Sequence, residues 1–422
     1  MKKVSIITLG CKVNKNESNY LAYLLSLNGY LVTDQLQKAD YYIVNSCAVT
    51  NLGERKSRQV ISKILKLNKA AHIIICGCAS ENNAKQFEEK KNVLKVIGTK
   101  NKVSIVDYIL EIDNKSKVDN HFANIIESSQ QQKPYLSNTR AFLKIQDGCN
   151  RFCSYCIIPY LRGRSVSRDI NEIVEEAKRL ALITKEIVLV GIDISDYKID
   201  GKLALSKLVL QLGEVDSRFR FGSFEVNVIN DELLTAMKSA KNFVAHFHLS
   251  LQSGDDEVLK QMNRKYTTAE YYSKCELIRK YFPHANITTD IIVGFPTETD
   301  EQFENTVEFV KKVGFGRIHI FPFSVREGTP ASKLIDLPKT IKKSRYEKLS
   351  KIEEKISENY YKSEIGKNRE LLLENQSENY FIGYTDNYIK TYVQSKEHYK
   401  NGEIISVKLI NIYKDGMKAE EI

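Results

Sequence analysis

The residues best suited to chemistry lie in the stretch 140–164, RAFLKIQDGCNRFCSYCIIPYLRGR, where Cys149, Cys153 and Cys156 follow a C-x3-C-x2-C spacing. Three thiolates this close on one loop can hold a soft metal centre: zinc, copper(I) or an iron–sulfur cluster. A structural zinc site closes with four ligands, yet no Cys or His occurs in the 80 residues after Cys156. The trio is incomplete, which suits a cluster that keeps one iron open for another ligand; a zinc site or a disulfide is the blander alternative. No Ser/His/Asp triad, P-loop or paired-carboxylate pattern supports a different chemistry.

Three more cysteines share a second pattern. Residues 3–10, Tyr41–Asn45 and His72–Cys76 read as short buried parallel strands, β-branched and closed by small residues. Cys11, Cys47 and Cys78 follow their C-terminal ends, the edge where open α/β sheets bind ligands. Helical periodicity over Glu17–Leu27 and Leu52–Lys69 alternates with the strands, so an open α/β sheet is expected over residues 1–112. The second helix also carries six Lys/Arg against one Glu. Cys76, inside the apolar strand, reads as a core thiol, Cys275 as a buried filler and Met262 as helix packing.

The stretch 113–138 is polar and rich in Gln, Ser and Asn, the composition of a linker. From 139 to 358 strands and helices alternate again, the first helix beginning at Asp169–Glu172. Strands Ala141–Ile145, Glu186–Val190, Arg218–Glu225, His246–Leu251 and Asn286–Val293 each run into a short polar or glycine-containing turn. This repetition predicts a partial (β/α)6 barrel whose catalytic face is the C-terminal rim. Gly191, Asp193, Glu225, Gln252, Ser253 and Gly254 on that rim are candidate cofactor or substrate contacts, or else turn and capping residues. Arg162, Arg164 and Arg168 after the cysteine loop suit a phosphate or carboxylate equally as well as solvent. The charged stretch 339–362 reads as a connector, and short strands over 359–422 as a small antiparallel β-barrel.

The wording of these turns resembles a known family. C-x3-C-x2-C with Tyr155 before the last cysteine is similar to the signature of radical S-adenosylmethionine enzymes. TLGCKVN, NSCAVTN, CGCAS, HFHLSLQSG–MNRKYT, GFPTET and YFIGYTDNY resemble methylthiotransferases, which add a methylthio group to tRNA or to a ribosomal protein. The resemblance implies two [4Fe-4S] clusters, one on Cys149, Cys153 and Cys156 with S-adenosylmethionine on its open iron, the other on Cys11, Cys47 and Cys78. It leaves Cys76 without a role and implies that Tyr155, Gly191, Asp193, Glu225, Gln252 and Ser253 surround the cofactor. Ile192–Asp193 departs from the family's usual residues at that turn. The subgroup most similar acts on N6-threonylcarbamoyladenosine beside the anticodon; isopentenyladenosine and a ribosomal-protein aspartate are the alternative substrates, and a zinc-stabilised RNA-binding protein the non-enzymatic one. The closing barrel resembles the RNA-binding (TRAM-like) module of the family, with Tyr384 and Tyr388 as stacking residues and Lys390 as a phosphate contact.

Composition agrees with these expectations. The 422 residues suffice for two or three domains, and 42% hydrophobic with 27% charged residues is ordinary for a soluble globular chain. A net charge of +10 suits a polyanionic partner such as tRNA. Eight cysteines in a chain without a signal-peptide pattern point to metal or redox chemistry rather than a disulfide framework. The apolar run at the N-terminus is broken by Gly10 and Lys12, and no later stretch is long enough to span a bilayer. A cytoplasmic protein is expected, served by an electron donor such as a flavodoxin or ferredoxin; the sulfur source is not legible.

Overall fold

The computed structural model describes residues 1–116, 139–377, 379–394 and 398–422. The chain divides into two compact units, residues 1–138 with 156–164, and residues 139–155 with 165–422. The linker expected over 113–138 lies outside the described residues except for 113–116. Asp113 itself is tied into the first unit, accepting from Tyr30 Oη at 2.8 Å and Tyr41 Oη at 2.5 Å.

The first unit is built on β1 (Lys3–Thr8), β2 (Leu31–Thr33), β3 (Tyr41–Ser46), β4 (His72–Gly77) and β5 (Val93–Val96). All four pairings are parallel, in the order β2-β1-β3-β4-β5. The helices are α1 (Lys12–Leu27), α2 (Asn51–Leu67), α3 (Cys78–Asn82), α4 (Lys85–Glu88) and α5 (Ser104–Ile112). Val4, Ile6, Ile43 and Ile74 of the sheet pack against Leu21, Leu24 and Leu25 of α1 and Ile105, Val106 and Ile109 of α5. Each helix has one apolar stripe and each central strand is apolar on both faces, so the three layers close over a dry core. The segment 156–164 adds the short helix Ile158–Arg162 to this unit.

In the second unit β6 (Ala141–Lys144), β9 (Glu186–Val190) and β12 (Arg218–Phe221) form one parallel sheet, β13 (His246–His248), β14 (Asn286–Val293) and β15 (Arg317–Pro322) another. Parallel bridges Phe219–Phe243 and Phe224–Leu249 join them, giving a partial barrel of six strands in the order β6-β9-β12-β13-β14-β15. The strands expected at Arg218–Glu225 and His246–Leu251 are shorter than read, because their last residues leave the ladder to form the rim. Short pairs β7 (Gln146–Asp147) with β8 (Val166–Ser167), and β10 (Lys198–Ile199) with β11 (Lys202–Leu203), decorate that rim. Helix starts follow local chemistry: Thr267 and Thr299 form capping boxes with Glu270 and Gln302, and the Asp169 side chain accepts from the N–H groups of Asn171 and Glu172.

Helix Lys339–Glu364 runs past the boundary expected at 358/359. Beyond it β16 (Asn368–Ser377), β17 (Tyr380–Thr385), β18 (Lys390–Val393), β19 (Ile404–Tyr413) and β20 (Gly416–Glu421) close into a barrel, ordered β16-β17-β18-β20-β19. This barrel packs on the N-terminal ends of the larger barrel's strands. Arg140, Glu186 and Arg218, at the starts of β6, β9 and β12, meet it through buried charges: Arg140 pairs with Glu186 at 2.7 Å and with Glu374, and Arg218 pairs with Glu186 at 2.6 Å. Asn286, opening β14, donates from Nδ2 to the Asn387 carbonyl at 2.9 Å.

Candidate iron–sulfur and cofactor sites

β1, β3 and β4 are neighbours in the sheet, so the residues after them, Cys11, Cys47 and Cys78, leave three adjacent C-terminal ends. Cys11 is exposed, and Cys47 and Cys78 are buried. The turn backbones are fastened together: Asn14 Nδ2 donates to the Leu9 carbonyl at 2.8 Å and the Ser46 carbonyl at 3.0 Å, and Ser46 Oγ to the Cys76 carbonyl at 2.7 Å. Glycines let the backbone pack closely against the Cys47 side chain. A Cβ on Gly10 would stand 2.8 Å from Cys47 Sγ, and one on Gly53 3.3 Å. Burial pushes the Cys78 thiol up; the Arg162 guanidinium opposes that rise, while the Cys11 thiol adds to it. Cys76 is wholly buried in the core cluster, its thiol pushed up by burial to about 11, and Cys275 likewise to about 12.

Arg162 is shielded from solvent and turned to the first unit's own side chains. It is buried, its Nη1 at 2.9 Å from Glu17 Oε1 and its Nη2 donating to Asn14 Oδ1 at 2.8 Å, so it braces the turn that carries Cys11. Arg168 donates to the Lys144 carbonyl and pairs with Glu176.

In the second unit the cysteine loop leaves β7 through Gly148, at φ +71°, and passes Phe152 at φ +49°. The segment 261–264 pins it. Ser154 N–H donates to the Met262 carbonyl at 3.0 Å, Ser154 Oγ to the Gln261 carbonyl at 2.7 Å, and Asn263 Nδ2 to the carbonyls of Arg151 and Phe152. Cys153 Sγ accepts from Arg264 Nη1 at 3.3 Å; Cys149 Sγ accepts from the Arg151 N–H at 3.4 Å and lies 3.9 Å from Asp193 Oδ2. Burial pushes the Cys149 thiol up to about 11; the Arg151 N–H opposes that, and Asp193 and Cys153 add to it. Cys156, the last of the loop, belongs to the first unit.

Asp193 and Glu225 come together at the rim, joined by Arg151, whose Nε is 2.7 Å from Asp193 Oδ2 and whose Nη1 is 2.5 Å from Glu225 Oε2. Arg264 pairs with the other oxygen of Glu225. Burial raises the Glu225 carboxyl, Arg264 and Arg151 pull it back, and Asp193 raises it further. The remaining rim candidates sit differently. Gly191 admits Gln146, whose Oε1 would lie 2.9 Å from an added Cβ. Gln252, at φ +73°, bridges to Ile291 by backbone bonds. Ser253 is wholly buried, its Oγ 3.3 Å from Thr306 Oγ1, while a Cβ on Gly254 would meet Thr306 Cα at 2.8 Å. Tyr155 packs on the cluster of Val258, Met262, Phe295 and Phe323. Met262 is thus core, as its helical setting suggested. Arg151, Asn263 and Arg264 were not singled out from sequence, although MNRKYT was the distinctive block that contains two of them.

In the small barrel, Tyr384 and Tyr388 stack on each other with centroids 4.6 Å apart, and Tyr388 also lies 3.9 Å from the Arg220 guanidinium carbon and 4.7 Å from the His246 ring. Lys390 Nζ is 2.8 Å from Asp415 Oδ2. The stacking and charge these residues offer are used by the chain itself.

The donor sets fit iron–sulfur centres: none of the eight cysteines is in a disulfide, and each trio supplies thiol sulfur, the donor such clusters take. No three His, Cys, Asp or Glu side chains among the described residues gather closely enough for one metal ion; a four-iron cluster spreads its thiolates more widely than a single ion does. No helix among the described residues is long and apolar enough to cross a membrane.

Residues 143–310 match the Radical SAM superfamily and residues 3–98 the uncharacterized protein family UPF0004. The fold is shared with TsrM, a radical S-adenosylmethionine methyltransferase from Kitasatospora setae, at a TM-score of 0.57 and 13% identity over 78% of this chain and 77% of that one. The partial barrel and the cysteine loop thus define a radical S-adenosylmethionine enzyme. Along nearly its whole length the chain is 36% identical to the threonylcarbamoyladenosine tRNA methylthiotransferase MtaB of Bacillus subtilis (97% of this chain, 94% of the relative). It is 38% identical to the MtaB of Thermotoga maritima (99% and 96%) and 32% identical to the tRNA-2-methylthio-N(6)-dimethylallyladenosine synthase of Thermodesulfovibrio yellowstonii (100% and 99%). The chain belongs to the tRNA methylthiotransferase family.

Proposed function

We propose that this enzyme converts N6-threonylcarbamoyladenosine beside the tRNA anticodon to its 2-methylthio derivative, replacing the C2 hydrogen by SCH3. The end-to-end identity with relatives named for that substrate carries the reading. Cys149, Cys153 and Cys156 would hold one [4Fe-4S] cluster together with S-adenosylmethionine, and Cys11, Cys47 and Cys78 a second. Bound there, these groups supply one-electron cleavage of the cofactor and a carried sulfur, the reactivity needed at an aromatic C–H bond too weakly acidic for any side-chain base.

The protein's part is placement. Asn263 and the Met262 carbonyl fix the loop backbone, so the thiols of Cys149 and Cys153 are preorganised before any metal arrives. Arg264 donates to Cys153 Sγ at 3.3 Å, a contact that fixes where this sulfur sits. Asp193 and Glu225 offer carboxylate oxygens to the cofactor's ammonium or ribose hydroxyls, and Arg151 between them offers a cation to its carboxylate. The adenine has to leave its stack to reach such a pocket. A ferredoxin or flavodoxin is the proposed electron donor.

Mass spectrometry of tRNA nucleosides from cells with and without the gene tests this reading. Loss of the 2-methylthio form with accumulation of N6-threonylcarbamoyladenosine is expected. Loss of the methylthio group from the dimethylallyl nucleoside instead would move the substrate to that of the 32% identical relative and keep the chemistry.

A further inference from the structure

The chain's positive charge is unevenly placed. Residues 1–112 carry 17 Lys and Arg against 9 Asp and Glu, +8 of the net +10, whereas residues 363–422, which include the small barrel, carry 8 against 10. Within the first unit the charge concentrates on α2. Its inner face, Ser57, Ile61 and Ile64, is buried. At about 100° per residue, Arg55, Lys56, Lys63 and Lys66 share an opposite stripe roughly 100° wide, with Gln59 between them, Ser62 at one margin and the exposed Leu52 at its N-terminal end. All four cations are exposed, and none makes an ion pair among the described residues, although elsewhere lysines and arginines pair freely with carboxylates. The stripe extends about 17 Å along the helix axis at 1.5 Å per residue. The same helix opens against a proposed cluster ligand, since Gly53 in its first turn abuts Cys47 Sγ.

An ordinary solvated helix face intersperses both signs; this one offers cations in a row with no carboxylate among them. Such a row fits successive phosphates of a nucleic acid strand better than a protein surface, whose buried centre is poor in charge. We infer that the α2 stripe, Arg55, Lys56, Lys63 and Lys66, is a tRNA phosphate-binding surface of the N-terminal domain that directs the substrate towards Cys47. This rests on the tRNA reading above. It assigns electrostatic capture to the N-terminal domain, where resemblance had placed RNA binding in the C-terminal barrel.

The test uses the full-length protein, isolated anaerobically with its iron, and an anticodon stem-loop bearing the threonylcarbamoyl group. Binding is followed by fluorescence anisotropy from low to moderate salt. Removing all four cations (R55Q/K56Q/K63Q/K66Q) should weaken binding at least tenfold and lower the slope of log K against log salt by about 3, at 0.7–0.9 per phosphate contact. A control lacking four other exposed lysines of the same domain (K38Q/K85Q/K90Q/K91Q) should lose much less. Iron content and melting temperature should match the parent in both, because the substituted side chains bury nothing. Equal losses in the two variants would assign the effect to net charge and overturn the stripe. Unchanged stem-loop binding with slower reduction by ferredoxin would overturn it in favour of a docking face for an acidic redox protein. If the parent protein binds no stem-loop at all, the tRNA reading itself fails.

Discussion

Cys76 and Cys78 are two residues apart on one strand end, yet they face different environments. Cys76 points into the core between β-strands and helices, and Cys78 stands beside Arg162 at the sheet edge. Cys78→Ser should cost the protein one cluster, seen as a drop in iron and sulfide per chain. Cys76→Ser should keep the iron and lower stability by about 1–3 kcal/mol for a buried hydroxyl; loss of iron from this variant would make Cys76 a ligand. Arg264→Gln should be harsher, about 3–5 kcal/mol, because Glu225 would keep only Arg151 as a counter-charge in a buried setting; thermal melting checks it. The spacing of Cys149, Cys153 and Cys156 and the strand-end placement of Cys11, Cys47 and Cys78 were legible because both are local signals. Arg264 and Arg162 were not, since each acts on a residue more than a hundred positions away, Cys153 and Glu17 respectively.

At the scale of elements, the turn between β4 and α3 shows how a strand end becomes a ligand platform. Gly77 sits at φ +103°, and a Cβ there would lie 2.5 Å from the Ser46 carbonyl oxygen. Gly77→Ala should therefore cost about 1–3 kcal/mol in backbone strain and displace Cys78, lowering iron content along with the denaturation midpoint. An alanine variant with full iron and unchanged stability would show that the turn adapts. Helices were readable from a 3.6-residue period, as α2 shows, and central strands from short β-branched apolar runs, as β4 shows. β2 and β5 escaped because strands of three and four residues with exposed faces carry almost no period.

For the whole molecule, the decisive feature is the charge cluster at the floor of the larger barrel. Glu186 is wholly buried, which alone would raise its carboxyl; Arg218, Arg140 and Arg220 outweigh that and hold it at about 2, below its ordinary 4.5. Its contribution to stability is therefore complete above pH 4.5 and is lost as the pH falls towards 2. Chemical denaturation of parent and Glu186→Gln at pH 6 and pH 3.5 should show the variant less stable at pH 6, with the gap narrowing in acid. A constant gap would mean that Glu186 is not the titrating group. In sequence these arginines and Tyr384 or Tyr388 look like surface residues, because charge and aromaticity alone do not reveal that another part of the chain covers them.

That floor bears on how separable the parts of this enzyme are. The small barrel contributes Glu374 to Arg140, two backbone carbonyls to Arg218 and the Tyr388 ring to Arg220. A chain ended at Glu364 would leave three arginines in an uncovered cleft with the single carboxylate of Glu186. The C-terminal module is therefore no detachable appendage, because it supplies partners to buried charges of the larger barrel. Domain exchange between relatives has to carry the partners of Arg140, Arg218 and Arg220 across with the barrel.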